Sequence, residues 1–392
     1  MKKCLAVLVS FCMAFGLMGC GGGSDSTTAA ATTAKATTAA ATEATTAAAT
    51  EAGATAAEST AAAAVQGGVA KAIQEHAGDA KDLKVALSNS ILTNAWRIQM
   101  VKIFETYCEQ LKEQGVVSEY YATSSGDDAQ AQINEIKNLI AEEYDVILVD
   151  CASSALQPVL EEAADQGIVV VTFDNIVQTD TTYSIAVDGT AFATNQAKWL
   201  CEQLGGKGNI ILVRGKAGAH DDTVRCAAYE EVLKQYPDIK VVGDGYGEWD
   251  FGTTAQLMND LLAKNEGTQI DGVLQQGMGE AAIVAALEQH GYDPATVPIT
   301  GEWTNGYFRV VQEKNLNAFI TGVPSYLSAM AMDVALDVVN GKDVERNQLL
   351  DPPVIDAKDA GKWYQASQSD EFMPAYTDEA NSWNIQLEDV LE

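Results

Sequence analysis

Positive charge is what this chain has least of. Lys and Arg number 24 against 55 Asp and Glu, a formal net charge of −31. Such a surface repels a polyanion, which argues against any nucleic-acid partner. Histidine is scarce as well: His76, His220 and His290 are all there are. With no Gly-x-Ser-x-Gly elbow to present a nucleophile, hydrolytic catalysis has little to draw on. His76 adjoins a low-complexity stretch and His290 ends a helical pattern, so His220 is left as a polar contact on a cleft loop. None of the seven cysteines forms a Cys-x-x-Cys pair, which removes a zinc site. Asp127-Asp128 and Asp221-Asp222 lack the regular oxygen spacing of a calcium loop and suit helix N-termini instead. Past residue 20, no apolar run is long enough to cross a bilayer. The expectation is a monomeric chain with no cofactor, no metal and no catalytic role.

What is present begins with Lys2 and Lys3, an apolar run over 5–15, and then Leu17-Met18-Gly19-Cys20 before a flexible Gly-Gly-Gly-Ser. The run is too short to span a membrane. The pattern resembles the lipobox of bacterial lipoproteins, which implies a signal peptide over 1–19 and a lipid on Cys20. From 20 to 68 the chain is almost entirely Ala, Thr, Gly, Ser and Glu, with "TTAAAT" repeating at Thr27, Thr37 and Thr45. There is nothing here to bury, so this segment reads as a disordered stalk, open to glycosylation. The domain beyond it is expected to be exported and held to the outer face of the cytoplasmic membrane. Cys108, Cys151, Cys201 and Cys226 sit inside apolar patterns and read as buried free thiols. Export leaves Cys108–Cys151 and Cys201–Cys226 bridges open.

From Leu83 onward, short apolar runs alternate with helical periodicity. Strands are predicted over 84–87, 117–121, 146–149, 169–173 and 183–187, and again over 209–213, 240–245, 272–275, 297–301 and 318–322. Helical stretches of ten to fifteen residues lie between them. Such alternation implies parallel sheets built from βαβ units. Two series imply two similar Rossmann-like α/β lobes.

The predicted strand ends carry the chemistry. Asn94 caps a helix whose first turn holds Trp96 and Arg97. Asp174 and Asn175 end "VVVTF". Arg225 sits early in the helix of "DDTVRCAAYEEV", and Trp249 lies in the loop "GEWDF". Gln276 ends "VLQQ", and Glu302 and Trp303 end "ITGEW". Carboxylate, carboxamide and guanidinium groups pair with adjacent hydroxyls, while indoles cover a C–H face. For any one residue a helix cap explains as much; recurrence at five or six strand ends points to a ligand with several hydroxyls. "GMGEAA" from Gly277 also fits a dinucleotide turn, but it comes late in the second lobe with Glu280 where a phosphate would sit.

With these residues in view, the chain from about Lys81 onward resembles the type 1 periplasmic binding proteins of sugar ABC transporters. The resemblance matches Asn94 and Trp96 to an Asn followed by a ring-stacking aromatic, with Arg97 replacing a second aromatic. Asp174-Asn175 stands where the family has Asp-Arg. Arg225, Trp249 and Gln276 fall on an arginine, an aromatic and an Asn/Asp that contact ligand. Gly301-Glu302-Trp303 stands for Gly-Phe-Asp, with either Glu302 or Trp303 in the aspartate's role, and Gly322 replaces a hinge Gln. The resemblance implies lobes of 80–188 plus 324–352 and 189–323 plus 353–392, joined by three crossings near Asp188, Val323 and Pro353. It implies a sugar closed in the cleft, with Trp96 and Trp249 on its faces, and delivery to an ABC permease. A sensory receptor of the same fold for a sugar or quorum signal, or a nucleoside-binding lipoprotein, is the alternative.

Overall fold

The computed structural model describes residues 69–374 and 380–385. The expected signal peptide, Cys20 and the stalk lie outside the described residues. The first lobe opens with α1 (Lys71–His76), β1 (Leu83–Asn89), α2 (Ala95–Glu113), β2 (Val117–Ser124), α3 (Ala129–Ala141), β3 (Val146–Asp150), α4 (Gln157–Asp165), β4 (Val169–Phe173) and β5 (Tyr183–Val187). The second continues with α5 (Gly189–Gln203), β6 (Lys207–Arg214), α6 (His220–Leu233), β7 (Asp238–Tyr246), α7 (Phe251–Lys264), β8 (Gly272–Gln275), α8 (Glu280–Gln289), β9 (Ile299–Glu302), α9 (Asn305–Lys314) and β10 (Ala318–Thr321). The chain then returns to the first lobe for α10 (Leu327–Val339) and β11 (Asn347–Leu350). It ends in the second with β12 (Val354–Ile355) and α11 (Ala360–Trp363).

The first sheet has order β11-β5-β4-β3-β1-β2, all parallel. The second has order β12-β10-β9-β8-β6-β7, parallel except for β12 against β10. Both faces of each sheet are covered, which is why the central strands read as unbroken apolar runs. In β1, Val85 and Leu87 face α2 and α10 while Ala86 faces α3 and α4. In β3, Val146 and Leu148 take the first side, and Ile147 and Val149 the second. The same split recurs in β6, with Ile211 and Val213 on one face and Ile210 and Leu212 on the other. Cys108, Cys151 and Cys201 are buried and Cys226 half-buried, all four as free thiols.

Helices start where polar caps follow the strands. Asn94, Asp128, Asp188, Asp250 and Thr304 each accept a backbone N–H from the first turn of α2, α3, α5, α7 and α9. Such caps are each worth about 1 kcal/mol, and these five follow directly on the carboxyl ends of β1, β2, β5, β7 and β9. The chain passes between sheets after β5, after β10 and after β11.

The tail departs from a purely second-lobe assignment of 353–392. It does pack on α9 first: Arg309 clasps Asp370 through Nε (3.0 Å) and Nη2 (2.7 Å), and Asn305 N donates to Phe372 O. It then crosses back. Met373 exchanges two hydrogen bonds with the Gln99 amide on α2, and Trp383 stacks on Tyr326 at 5.5 Å. Trp383 Nε1 donates to Asp333 Oδ2 (2.8 Å), whose Oδ1 accepts from Tyr107 (2.6 Å). Burial pushes the Asp333 carboxyl up to about 6. Replacing the indole by a ring without its N–H leaves one of these buried oxygens short of a donor. Trp383→Phe is therefore expected to lower stability by about 1–3 kcal/mol, read from urea melts at pH 7. An unchanged midpoint would show that the tail does not hold this carboxylate.

Candidate functional site

The carboxyl ends of both sheets open onto one gap. On the first lobe, the Asn94 cap turns α2 so that Trp96 and Arg97 follow at once. Asn94 Oδ1 accepts from Arg97 N at 2.9 Å. The Arg97 guanidinium is buried and held on its own lobe: Nη1 donates to Asn89 Oδ1 (3.1 Å) and contacts Asp150, and Nη2 meets Asp174 Oδ2 (3.2 Å). Asn175 Nδ2 donates to the same Asp174 oxygen (2.9 Å), leaving Asn175 Oδ1 buried without a partner. Trp96 Nε1 donates to Val323 O (2.8 Å), so this wall of the gap is bonded to the crossing that follows β10.

The second lobe repeats the plan with other elements. Arg225, one turn into α6, is buried against Phe192 at 4.1 Å and lies 5.8 Å from the Trp249 ring. Its Nη2 pairs with Asp221 (2.7 Å) and its Nη1 with Glu302 (3.3 Å). Trp249 reaches the gap because residue 215 has no side chain; a Cβ there would lie 2.3 Å from the indole. Behind Glu302 sits Glu280. Its carboxylate accepts from Met278 N (2.9 Å), Gly279 N (3.1 Å), Glu302 N (2.9 Å) and Thr304 Oγ1 (2.9 Å). This answers the "GMGEAA" question. The turn N–H groups that a phosphate would need are occupied by the chain's own carboxylate.

Between the lobes lies an inner cavity of about 40 Å³, and beyond it an outer chamber of about 290 Å³. Arg97, Asn175 and Trp249 line both. At the outer chamber Lys216 of the second lobe meets Asp127 of the first at 2.5 Å. Both side chains are partly exposed, so this pair is worth only about 0–1 kcal/mol.

Asn94, Trp96, Arg97, Asp174, Asn175, Arg225, Trp249 and Glu302 line the inner cavity. Three residues read from the sequence do not. His220 is exposed at the start of α6. Gln276 is buried, its Nε2 donating to Asp222 Oδ1 (2.8 Å) and to the Cys226 sulfur (3.3 Å). Trp303 is 1% exposed and packs against Gly322, where a Cβ would come within 2.3 Å of its ring. That contact resolves the register question. The absent hinge side chain makes room for Trp303 in the core, and Glu302 takes the cavity. Asp221, Met278 and Val323 complete the lining. Asp221 had a signal in the sequence, lying four residues before Arg225 and so one turn away on the same helix face.

Burial dominates the electrostatics. It pushes the Asp221 carboxyl up to about 6, with Arg225 opposing and Asp174 adding repulsion. It pushes Glu302 up to about 8, again against Arg225, with Glu280, Asp174 and Asp221 repelling. Burial also lowers Arg97, whereas Arg225 is raised because Asp221 and Glu302 outweigh the same desolvation.

Comparison with known proteins places this architecture. The family model described as "Periplasmic binding protein domain" matches residues 85–343. The chain belongs to the periplasmic binding protein family. It is 28% identical over 236 residues to the xylitol-binding protein of Mycolicibacterium smegmatis, covering 59% of this chain and 67% of the relative. It is 22% identical over 273 residues to the ribose import binding protein of Bacillus subtilis, covering 69% and 86%. Among solved structures, an ABC transporter solute binding protein from Thermobispora bispora superposes with a TM-score of 0.69 at 26% identity, covering 76% of this chain and 93% of that one. As a periplasmic binding protein it is an extracytoplasmic solute receptor, not a catalyst.

Glu280 has no exposed surface, and its carboxylate accepts from three backbone N–H groups and one hydroxyl. Glu280→Gln turns one acceptor oxygen into a donor facing donors, so we expect a loss of about 1–3 kcal/mol in urea unfolding. A variant as stable as the parent would show that this carboxylate does not organise the turn.

Proposed function

We propose that this periplasmic binding protein captures a sugar or related polyol between its lobes and delivers it to an ABC permease. The observation that carries the reading is the pairing across the inner cavity. Each lobe supplies one indole and one buried guanidinium–carboxylate group to the same small space. Trp96 and Trp249 cover the C–H faces of a ring, and Asn94, Asp174, Asn175, Arg225 and Glu302 bond its hydroxyls. The guanidiniums are fixed by their own lobes before ligand arrives, so little ordering entropy is lost on binding. The names of the relatives support the class: xylitol, ribose and, at 23% identity, D-xylose in a Haemophilus influenzae protein. Closure around the ligand buries it and brings the two lobe surfaces into the relation a permease reads.

We further propose that Cys20 carries a lipid and that residues 20–68 tether the domain to the outer face of the cytoplasmic membrane. The Leu-x-Gly-Cys pattern and the core-free Ala/Thr tract support this. Cys20→Ala should release the protein from the membrane fraction into the medium or periplasm; retention in the membrane with unchanged mass would remove the anchor.

For the site, Trp249→Ala should weaken sugar binding by roughly 1–3 kcal/mol in calorimetry while the fold is kept. A panel of pentoses, hexoses, pentitols and nucleosides in a melting assay identifies the class. A ligand at ~100 times its dissociation constant adds about 2.7 kcal/mol to the folded state. A response to nucleosides alone would sink the sugar reading.

A further inference from the structure

The two buried guanidiniums do not balance the carboxylates around them. On the first lobe Arg97 serves both Asp150 and Asp174. On the second, Arg225 serves both Asp221 and Glu302. Each lobe is thus one cation short, and the shortfalls meet, because Asp174, Asp221 and Glu302 all line the inner cavity. His220, exposed at the start of α6, and Arg97 across the gap also attract Asp221, each less than Asp174 repels it. Lys216 is engaged by Asp127 at the outer chamber, and Arg214 by Asp244. Asp222 and Glu280, behind the wall, add negative charge and accept from neutral N–H and O–H groups. The repulsion is felt across the gap: Asp174 on one lobe raises the carboxyls of Asp221 and Glu302 on the other.

A hydroxyl satisfies a carboxylate's lone pairs but brings no charge. An ammonium brings both, with three N–H donors. Asn175 Oδ1 is the further acceptor: the residue is 6% exposed, lines the cavity, and this oxygen has no partner. We infer that the ligand of this cleft is an aminated polyol, a ring with several hydroxyls and one protonated amine, whose ammonium sits between Asp174 of one lobe and Asp221 and Glu302 of the other. The inference rests on the cleft being a polyol site and names the charge its ligand carries.

It predicts an unusual pH profile. The groups facing the ammonium are Asp174 after β4, Asp221 and Arg225 on α6, Glu302 at the end of β9 and Arg97 on α2, with Asp150 and Glu280 behind them and His220 of α6 close enough to act on Asp221. A neutral polyol leaves the carboxylates to repel one another, so closing on it favours protonated Asp221 and Glu302 and binding weakens as pH rises. A cation needs them ionised, so its binding strengthens from pH 5.5 to 7.5.

The experiment is calorimetry on the purified full-length protein in detergent, between pH 5.5 and 8.5, with matched probes. D-glucosamine is compared with D-glucose, and an inosamine with myo-inositol. The expected result is that at least one amine binds about tenfold or more tighter than its hydroxyl partner at pH 7.5, with affinity rising from pH 5.5. Asp174→Asn should weaken the amine by more than it weakens the neutral partner, so that the difference between the two narrows toward parity. A neutral probe that binds as tightly as its amine, or an amine whose binding weakens as pH rises to 7.5, overturns the inference and leaves the polyol reading in place. If no probe of either kind binds, the inference falls, and the polyol reading stands or falls on the wider panel of pentoses, hexoses, pentitols and nucleosides.

Discussion

Taking a guanidinium out of water costs several kcal/mol unless carboxylates meet it at close range, and this cleft does so twice. Arg97 is 5% exposed and Arg225 is 3% exposed. Much of the local architecture follows from that demand. Asp150 must end β3 and Asp174 must follow β4 to hold one cation. Asp221 must sit one turn before Arg225, and Glu302 must end β9, to hold the other. Glu302 in turn depends on the Glu280 clasp that gathers β9 and the turn before α8. The result is two rigid polar half-sites, each assembled from residues of its own lobe.

The aromatic parts depend on empty positions. Trp249 reaches the cavity over Gly215, and Trp303 fills the core beside Gly322. Gly322 and Trp303 depart together from the pattern of the sugar-binding family, and the structure explains them as one exchange of volume rather than two lost contacts. Trp96 is different: its ring lines the cavity while its N–H is bonded to Val323 at a crossing between the lobes. Cavity wall and interlobe crossing are bonded to one another there.

The ten strands expected from sequence all appear, because runs such as Val146–Asp150 and Val169–Phe173 are buried on both faces and leave no competing pattern. β11 and β12 were not legible. "NQLL" alternates exposed and half-exposed residues, and β12 has two residues; both exist only through pairing with β5 and β10. The polar cleft was legible wherever a residue stood at a strand end or helix cap, as with Asn94, Asp174 and Glu302. It was not where the role came from a distant partner. Asp150 ends an apolar run, yet nothing in the sequence joins it to Arg97. Gln276 stands at a strand end as well, but its Nε2 is taken by Asp222 and Cys226 behind the cavity lining.

The tail gives the fold an order in time. Asn305 Nδ2 is held by the carbonyls of Gln365, Gln368 and Ser369, and Asp333 by Trp383. A ribosome or export channel delivers those partners some fifty to sixty residues after the groups they satisfy. Until they arrive, water must serve Asn305 Nδ2 and one oxygen of Asp333, and the strap between α9 and α2 cannot form. The two lobes are therefore joined twice, first by the crossings of the main chain and later by a tail that fastens what has already been translated.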